Sequence, residues 1–158
     1  MGKRSKHKTN SIPLKQKFIG DRNLSLQERL ENNEFLPKGH MTIVQSPGEK
    51  MSEVLLSFAN PLLKGDEDDS ELDRIIGFVM IVWNLTVLSP EERKNAIPGV
   101  AGLFSSDTGQ GIAGTLSLID TLLKRKEKYF SHIKKLIVDY EISQKQGQPS
   151  LKVISAPY

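Results

Sequence analysis

The chain has 158 residues, 37% hydrophobic and 26% charged, which fits one globular domain with a polar tail and leaves no material for a second core of useful size. Cysteine is absent, so disulfide scaffolds, thiolate metal sites and thiol nucleophiles are excluded together. The net charge of +3 originates at the start of the chain: Lys3, Arg4, Lys6, Lys8, Lys15 and Lys17 stand among the first seventeen residues without one acid, and all 19 acidic residues follow.

Residues 1–20 predict a disordered basic tail, because no apolar period is present to offset the entropy of ordering it. Residues 21–158 are then a single domain. Ile12, Leu14, Phe18 and Ile19 are separated by Pro, Lys and Gln and form no signal-peptide core. Ser5 stands one place too early for a myristoylation signal. The longest apolar run, Ile75 to Leu88, contains Gly77, Asn84 and Thr86 and falls short of the roughly twenty residues a bilayer span requires. A cytoplasmic protein without a membrane partner is expected.

Ser25, ahead of Leu26, Glu28 and Leu30, predicts a short helix ending near Leu36-Pro37. Lys38 to Gln45, with Met41-Thr42-Ile43-Val44, reads as a loop, with a minor strand as the other option. Ser46-Pro47-Gly48-Glu49 has the order of a capping box and opens the stripe Met51, Val54, Leu55, Phe58, Leu62, so a second helix is predicted over about 47–63, stopped or bent at Pro61. After the polar break Gly65 to Asp69, Asp69 or Ser70 is expected to cap a third helix running to about Val87. From Ile75 its apolar residues occupy nearly every face, which places it at the centre of the core.

Ser89-Pro90-Glu91-Glu92 starts a short fourth helix expected to stop near Ile97-Pro98-Gly99, followed by a flexible connection to Gly114. Leu116, Ile119, Leu122 and Leu123 mark a fifth helix through Tyr129 and Phe130 toward Ile133. Beyond it, Val138, Tyr140 and Ile142 alternate with Asp139, Glu141 and Ser143, and a Gln146-Gly147-Gln148-Pro149 turn leads to Leu151-Lys152-Val153-Ile154. This predicts a hairpin with Val138, Tyr140 and Ile142 toward the helices and Asp139 and Glu141 toward water. The competing helical spacing of Ile133, Leu136, Ile137 and Tyr140 does not explain the alternation. The fold class is therefore α+β and predominantly helical, with about five helices and a C-terminal hairpin.

No pattern specifies a catalytic, cofactor or metal site. Gly109-Gln110-Gly111-Ile112-Ala113-Gly114 has dinucleotide-fingerprint spacing, but that motif needs a preceding strand, and Phe104 to Thr108 is not one. The acids from Asp66 to Asp69 lack the order of a calcium loop and suit a solvated helix start. His7, His40 and His132 share no ligand spacing and read as surface residues. Asn84, inside an apolar helix, needs a hydrogen-bond partner, for which a loop carbonyl is expected. Lys124, Arg125, Lys126 and Lys128, followed by Lys134 and Lys135 and adjoined by Tyr129 and Phe130, form a second basic patch. Its plain reading is a solvated helix end that complements the helix dipole, and its functional reading is phosphate contact shared with the tail.

Glu49-Lys50-Met51-Ser52-Glu53-Val54-Leu55-Leu56, Trp83-Asn84-Leu85 and Ile137-Val138-Asp139-Tyr140-Glu141 together resemble a group of small uncharacterised bacterial proteins. The resemblance covers roughly residues 49 to 155 and implies a mostly helical domain with a terminal hairpin in a bacterial cytosol. Some members are associated with a Cys-rich metal motif that this chain lacks, so no metal role and no site residue carries over. The expected function is a non-enzymatic interaction or regulatory module that binds another macromolecule, with a protein as partner. Nucleic-acid or ribosome binding through Lys3, Arg4, Lys6, Lys8, Lys15, Lys17 and the Lys124 to Lys135 patch is the alternative, and an enzyme of unforeseen type comes third.

Overall fold

In the computed structural model, Ile19 and residues 21–32 and 48–158 are described. The basic tail through Lys17, His7, His40, the Met41 to Val44 run and the expected cap at Ser46 lie outside these residues. Helix α3, Asp69–Leu85, is the centre of the fold: Ile76, Phe78, Val79, Met80, Val82 and Trp83 are all buried on it, so other elements must enclose it on several sides. Helices α2 (Met51–Ala59), α4 (Pro90–Thr108) and α5 (Gly111–Phe130) and an antiparallel hairpin of β1 (Lys135–Lys145) and β2 (Gln148–Pro157) do so, while α1 (Leu26–Glu31) packs on β1, so the described residues form an α+β fold of five helices and one two-stranded sheet. The aromatic centre is a set of edge and tilted contacts in which Phe58 and Phe130 meet Trp83 and Phe78 meets Phe104, with ring centroids 5.3–6.0 Å apart.

Capping chemistry fixes three helix starts. Ser25 and Glu28 form a capping box on α1, and Ser89 and Glu92 one on α4. On α3 the cap is Asp68, one residue before the two expected, because only Asp68 has its box partner Glu71 three places on. Helix α2 begins at Met51 rather than at Pro47: Gly48 has φ +124°, outside the helical region, and Lys50 takes the cap position without a side-chain bond. At its other end a 3-10 turn, Asn60–Leu62, takes Pro61 into its first positions.

Helix α4 corrects a boundary. Pro98 was expected to end it, yet the helix continues to Thr108 and stops at Gly109, whose φ is +67°. Pro98 removes the amide that would bond the Lys94 carbonyl, and both residues lie on the exposed side of the helix, which spares the lost bond from being buried. Val100, Ala101 and Phe104 on the inner side supply the burial that carries the helix past the proline. The flexible connection expected up to Gly114 is accordingly only a tight turn, and α5 starts at Gly111.

Arg93 on α4 closes the C-terminal end of α3, donating to the carbonyls of Leu85, Thr86 and Leu88 at 3.0, 3.1 and 3.3 Å. A guanidinium there pairs terminal carbonyls and opposes the negative end of the helix dipole.

Helix α5 ends at Phe130, so the hairpin prevails over a helix to Ile142. Its turn is Gln146-Gly147, with φ of +52° and +74°, and Gln148 and Pro149 already belong to β2. The expected facing is half wrong. The register shifts between Ile137 and Asp139, so Val138 is a bulged residue, and the phase of β1 inverts across it. Ile137 and Tyr140 both enter the core, with exposures of 1% and 0%. Asp139, expected in water, is buried at 5% exposure beneath α1, where Arg29 holds it at 2.9 Å and Arg22 also at 2.9 Å.

The two-residue turn also determines which backbone groups point away from the hairpin. On β1 they belong to Lys135, Ile137, Tyr140, Ile142 and Gln144, and side chains reach the backbone of the first three. Trp83 donates to the Lys135 carbonyl at 2.8 Å, Asn84 exchanges two bonds with Ile137, and Arg22 and Arg29 donate to the Tyr140 carbonyl at 2.9 and 2.7 Å. The outer edge of β1 is thereby closed from Lys135 to Tyr140 by α3, by α1 and by Arg22 just before α1. On β2 the outward positions opposite these are Pro149, Leu151, Val153, Ser155 and Pro157.

Candidate functional site

Positions three and four apart share a helix face, and this spacing gathers Lys124, Arg125, Lys128 and Tyr129 on one side of the last turns of α5. Tyr129 is 53% exposed, an unusual position for a large ring. Lys128 Nζ lies 5.0 Å from its ring centre and the Arg125 guanidinium 5.4 Å, so two cations lie close to the ring. Arg125 is held in place by a 2.7 Å bond to the Ser57 carbonyl on α2 and lies 5.7 Å from the Phe130 ring centre. Lys124 pairs with Asp120 one turn earlier at 2.8 Å, and that hydrogen bond, then the Asp120 charge, raises its pKa. His132, just past the helix end, is exposed and 3.6 Å from Glu49, as expected for a surface histidine.

Lys126 does not belong to this surface. It faces the opposite way, is 4% exposed, and donates to the carbonyls of Phe130 and Ile133 at 2.9 and 3.3 Å, with its ammonium 4.4 Å from the Trp83 ring centre. Burial, and then the charge of Lys134, lowers its pKa. Its role is to cap the C-terminus of α5 from inside, and a phosphate cannot reach it. A run of adjacent basic residues on a helix must point in several directions, so the patch read from the sequence divides into Lys124, Arg125 and Lys128 outward and Lys126 inward.

A cleft of about 830 Å³ lies between the 3-10 turn, α3 and the α4–α5 turn, with Leu62, Ile75, Phe78 and Leu118 among its apolar lining and Glu67 and Glu71 among its charges. Both carboxylates are already engaged. Glu67 accepts from the amides of Lys64 and Gly65, which lowers its pKa, and Glu71 accepts from the Asp68 amide in the α3 capping box. The acidic run thus completes a turn and a helix start, the plain reading of Asp66 to Asp69. Among the described residues, no group of three or more His, Cys, Asp or Glu is placed to hold a metal ion.

The Gly109 to Gly114 run is the α4–α5 turn. A helix precedes it, as the dinucleotide reading does not allow, and the hydroxyls of Thr108 and Thr115 bond each other at 2.7 Å across the turn while Thr115 donates to the Gly111 carbonyl. Among the described residues, no helix is long and apolar enough to cross a membrane.

Sequence reasoning missed the Arg22, Arg29 and Asp139 cluster, which also brings the Arg22 guanidinium 3.9 Å from the Tyr140 ring centre and 3.4 Å from Asp73. Its partners are more than a hundred residues apart, and no local pattern links them. The Tyr140 hydroxyl donates to the carbonyl and carboxylate of Asp73, and burial raises its pKa. Gly77 makes this approach possible, since a Cβ there would sit 3.1 Å from the hydroxyl. Comparison with family models, curated proteins and solved structures gives no match.

Proposed function

We propose that the protein is a non-enzymatic interaction module that engages an anionic macromolecule through the outward face of α5. The observation that carries this reading is the exposed Tyr129 ring with Arg125 and Lys128 close to it. A solvent-facing aromatic beside cations offers apolar contact area and charge at one point, the combination that binding surfaces use. Arg125 adds preorganisation, because its bond to Ser57 fixes the guanidinium before any partner arrives.

Nucleic acid, free or in a ribosome, is the partner class that this chemistry favours. Bases stack on an exposed aromatic while phosphates meet Arg and Lys. The six basic residues of the tail, Lys3, Arg4, Lys6, Lys8, Lys15 and Lys17, would add sequence-independent attraction. An acidic protein surface is the second class. Capture on the tagged chain from a lysate, with and without nuclease, separates the two: nuclease-sensitive capture supports nucleic acid, and nuclease-resistant capture that fails with Lys128→Glu supports an acidic protein. Capture unchanged by Lys128→Glu and Tyr129→Ala under both conditions would remove α5 as the binding face.

A further inference from the structure

The outer edge of β2 differs from that of β1. Whereas β1 has its outward groups at Lys135, Ile137 and Tyr140 taken by side chains, no hydrogen bond from another described residue reaches the outward backbone groups of Leu151, Val153 and Ser155. The register assigns these directions independently at both ends. The Gln146-Gly147 turn closes on Lys145 and Gln148, and at the base Tyr158 donates to the Lys134 carbonyl at 3.3 Å, so both ends require Val153 to face away from β1. Pro149 and Pro157 occupy the two outward positions that flank this window, where a missing N–H costs no bond within the hairpin.

Pro149 and Pro157 stand four residues to either side of Val153, so the prolines that bound the outward window are symmetric about it. We infer that β2 pairs antiparallel with β2 of a second copy of this chain across a two-fold axis at Val153, joining the hairpins into a four-stranded sheet. In this register Val153 meets its own equivalent and Leu151 meets Ser155, so all three outward N–H groups find carbonyls. Each proline falls opposite the other proline, where no donor is needed, and the ladder ends there. The same register sets Lys152 opposite Ile154 and not opposite its own copy, which avoids like charges across the seam. A symmetric pattern suits a closed dimer, because an isologous interface uses one patch twice. This inference stands apart from the α5 reading, whose residues it does not use.

Light scattering coupled to gel filtration, with amide hydrogen exchange by NMR on the full chain at low and high concentration, tests it. The expected result is a dimer whose population rises with concentration, with exchange at Leu151, Val153 and Ser155 slowing in step and Lys152, bonded within the hairpin, protected throughout. Val153→Pro should return the chain to a monomer while the circular dichroism is retained, since the substituted N–H points outward. Ser155→Pro serves the same purpose if the first variant does not fold. A monomer at every concentration would overturn the proposal. So would a dimer in which these amides exchange freely, or a monomer in which they are already protected.

Discussion

The side-chain amide of Asn84 treats Ile137 as a neighbouring strand would: it donates to the Ile137 carbonyl at 2.7 Å and accepts from the Ile137 amide at 2.8 Å. A central helix is thereby stitched to the edge of a hairpin 53 residues away, with Trp83 adding the adjacent bond to Lys135. Asn84→Asp keeps the acceptor and sets an oxygen against the Ile137 carbonyl. We expect a loss of about 1–3 kcal/mol, the penalty for leaving such a group unpaired, read as a lower urea midpoint with faster exchange of β1 amides. An unchanged midpoint would mean that the lost bond to the Ile137 carbonyl is replaced by water without penalty.

Asp139 is held by two guanidiniums, and the Arg29 side chain is itself only 4% exposed. Asp139→Ala strands that charge in the interior, so the variant should lose roughly 3–5 kcal/mol, the usual result of breaking a buried pair from one side. Lys124→Ala, which breaks an exposed pair, should leave the melting midpoint almost unmoved. Equal effects from the two substitutions would contradict the burial of Asp139.

Lys126 carries a pH signature. Burial lowers its pKa, so between that lowered value and the ordinary lysine value the unfolded chain holds a proton that the folded chain has lost. Stability contributed by this group therefore rises with pH across that alkaline window. Lys126→Met should abolish the rise, and should also lower stability near neutrality by leaving the Phe130 and Ile133 carbonyls without their donor. Urea midpoints of both chains from neutral pH to the lysine range give the comparison. A parent curve that falls across the window would reverse the sign of the argument.

Pro98→Ala should stabilise the protein. The ring occupies a helix interior, where proline is about 3 kcal/mol worse than alanine, and it is exposed, so no packing is lost. A gain of about 1–3 kcal/mol in chemical denaturation is the expected range, the lower end applying where water already satisfies the Lys94 carbonyl. A loss would show that α4 depends on the proline at position 98.

Pro98 also marks where local rules stop being sufficient. The capping boxes at Ser25 and Ser89, the buried α3 and the hairpin turn were legible because each depends on residues within a few positions of one another. The continuation of α4 was not, since Phe104 and Val100 hold it through burial that no helix-stop rule contains. Asp139 was misplaced for a related reason. Strict alternation was assumed along β1, whereas one bulged residue inverts the phase, and the arginines that reward the inversion lie on α1 and just before it. On α5 the residue types of the basic patch were readable, but their directions required the helix to be placed against Trp83 before Lys126 could be separated from Lys128.

The central claim is that the α5 face binds an anionic macromolecule, and fluorescence anisotropy against duplex DNA and structured RNA over a range of salt tests it most directly. Each phosphate neutralised contributes a log–log slope of roughly −0.9 on duplex DNA, so Lys128→Glu should flatten the slope by about one contact. Tyr129→Ala should weaken binding at every salt concentration, by roughly 1–3 kcal/mol if a base stacks on the ring, while leaving the slope in place. Removal of residues 1–17 should lower affinity for all sequences alike, since phosphate contacts position a protein without reading bases. Full-length, Lys128→Glu and Tyr129→Ala chains that give superimposable curves would contradict the account.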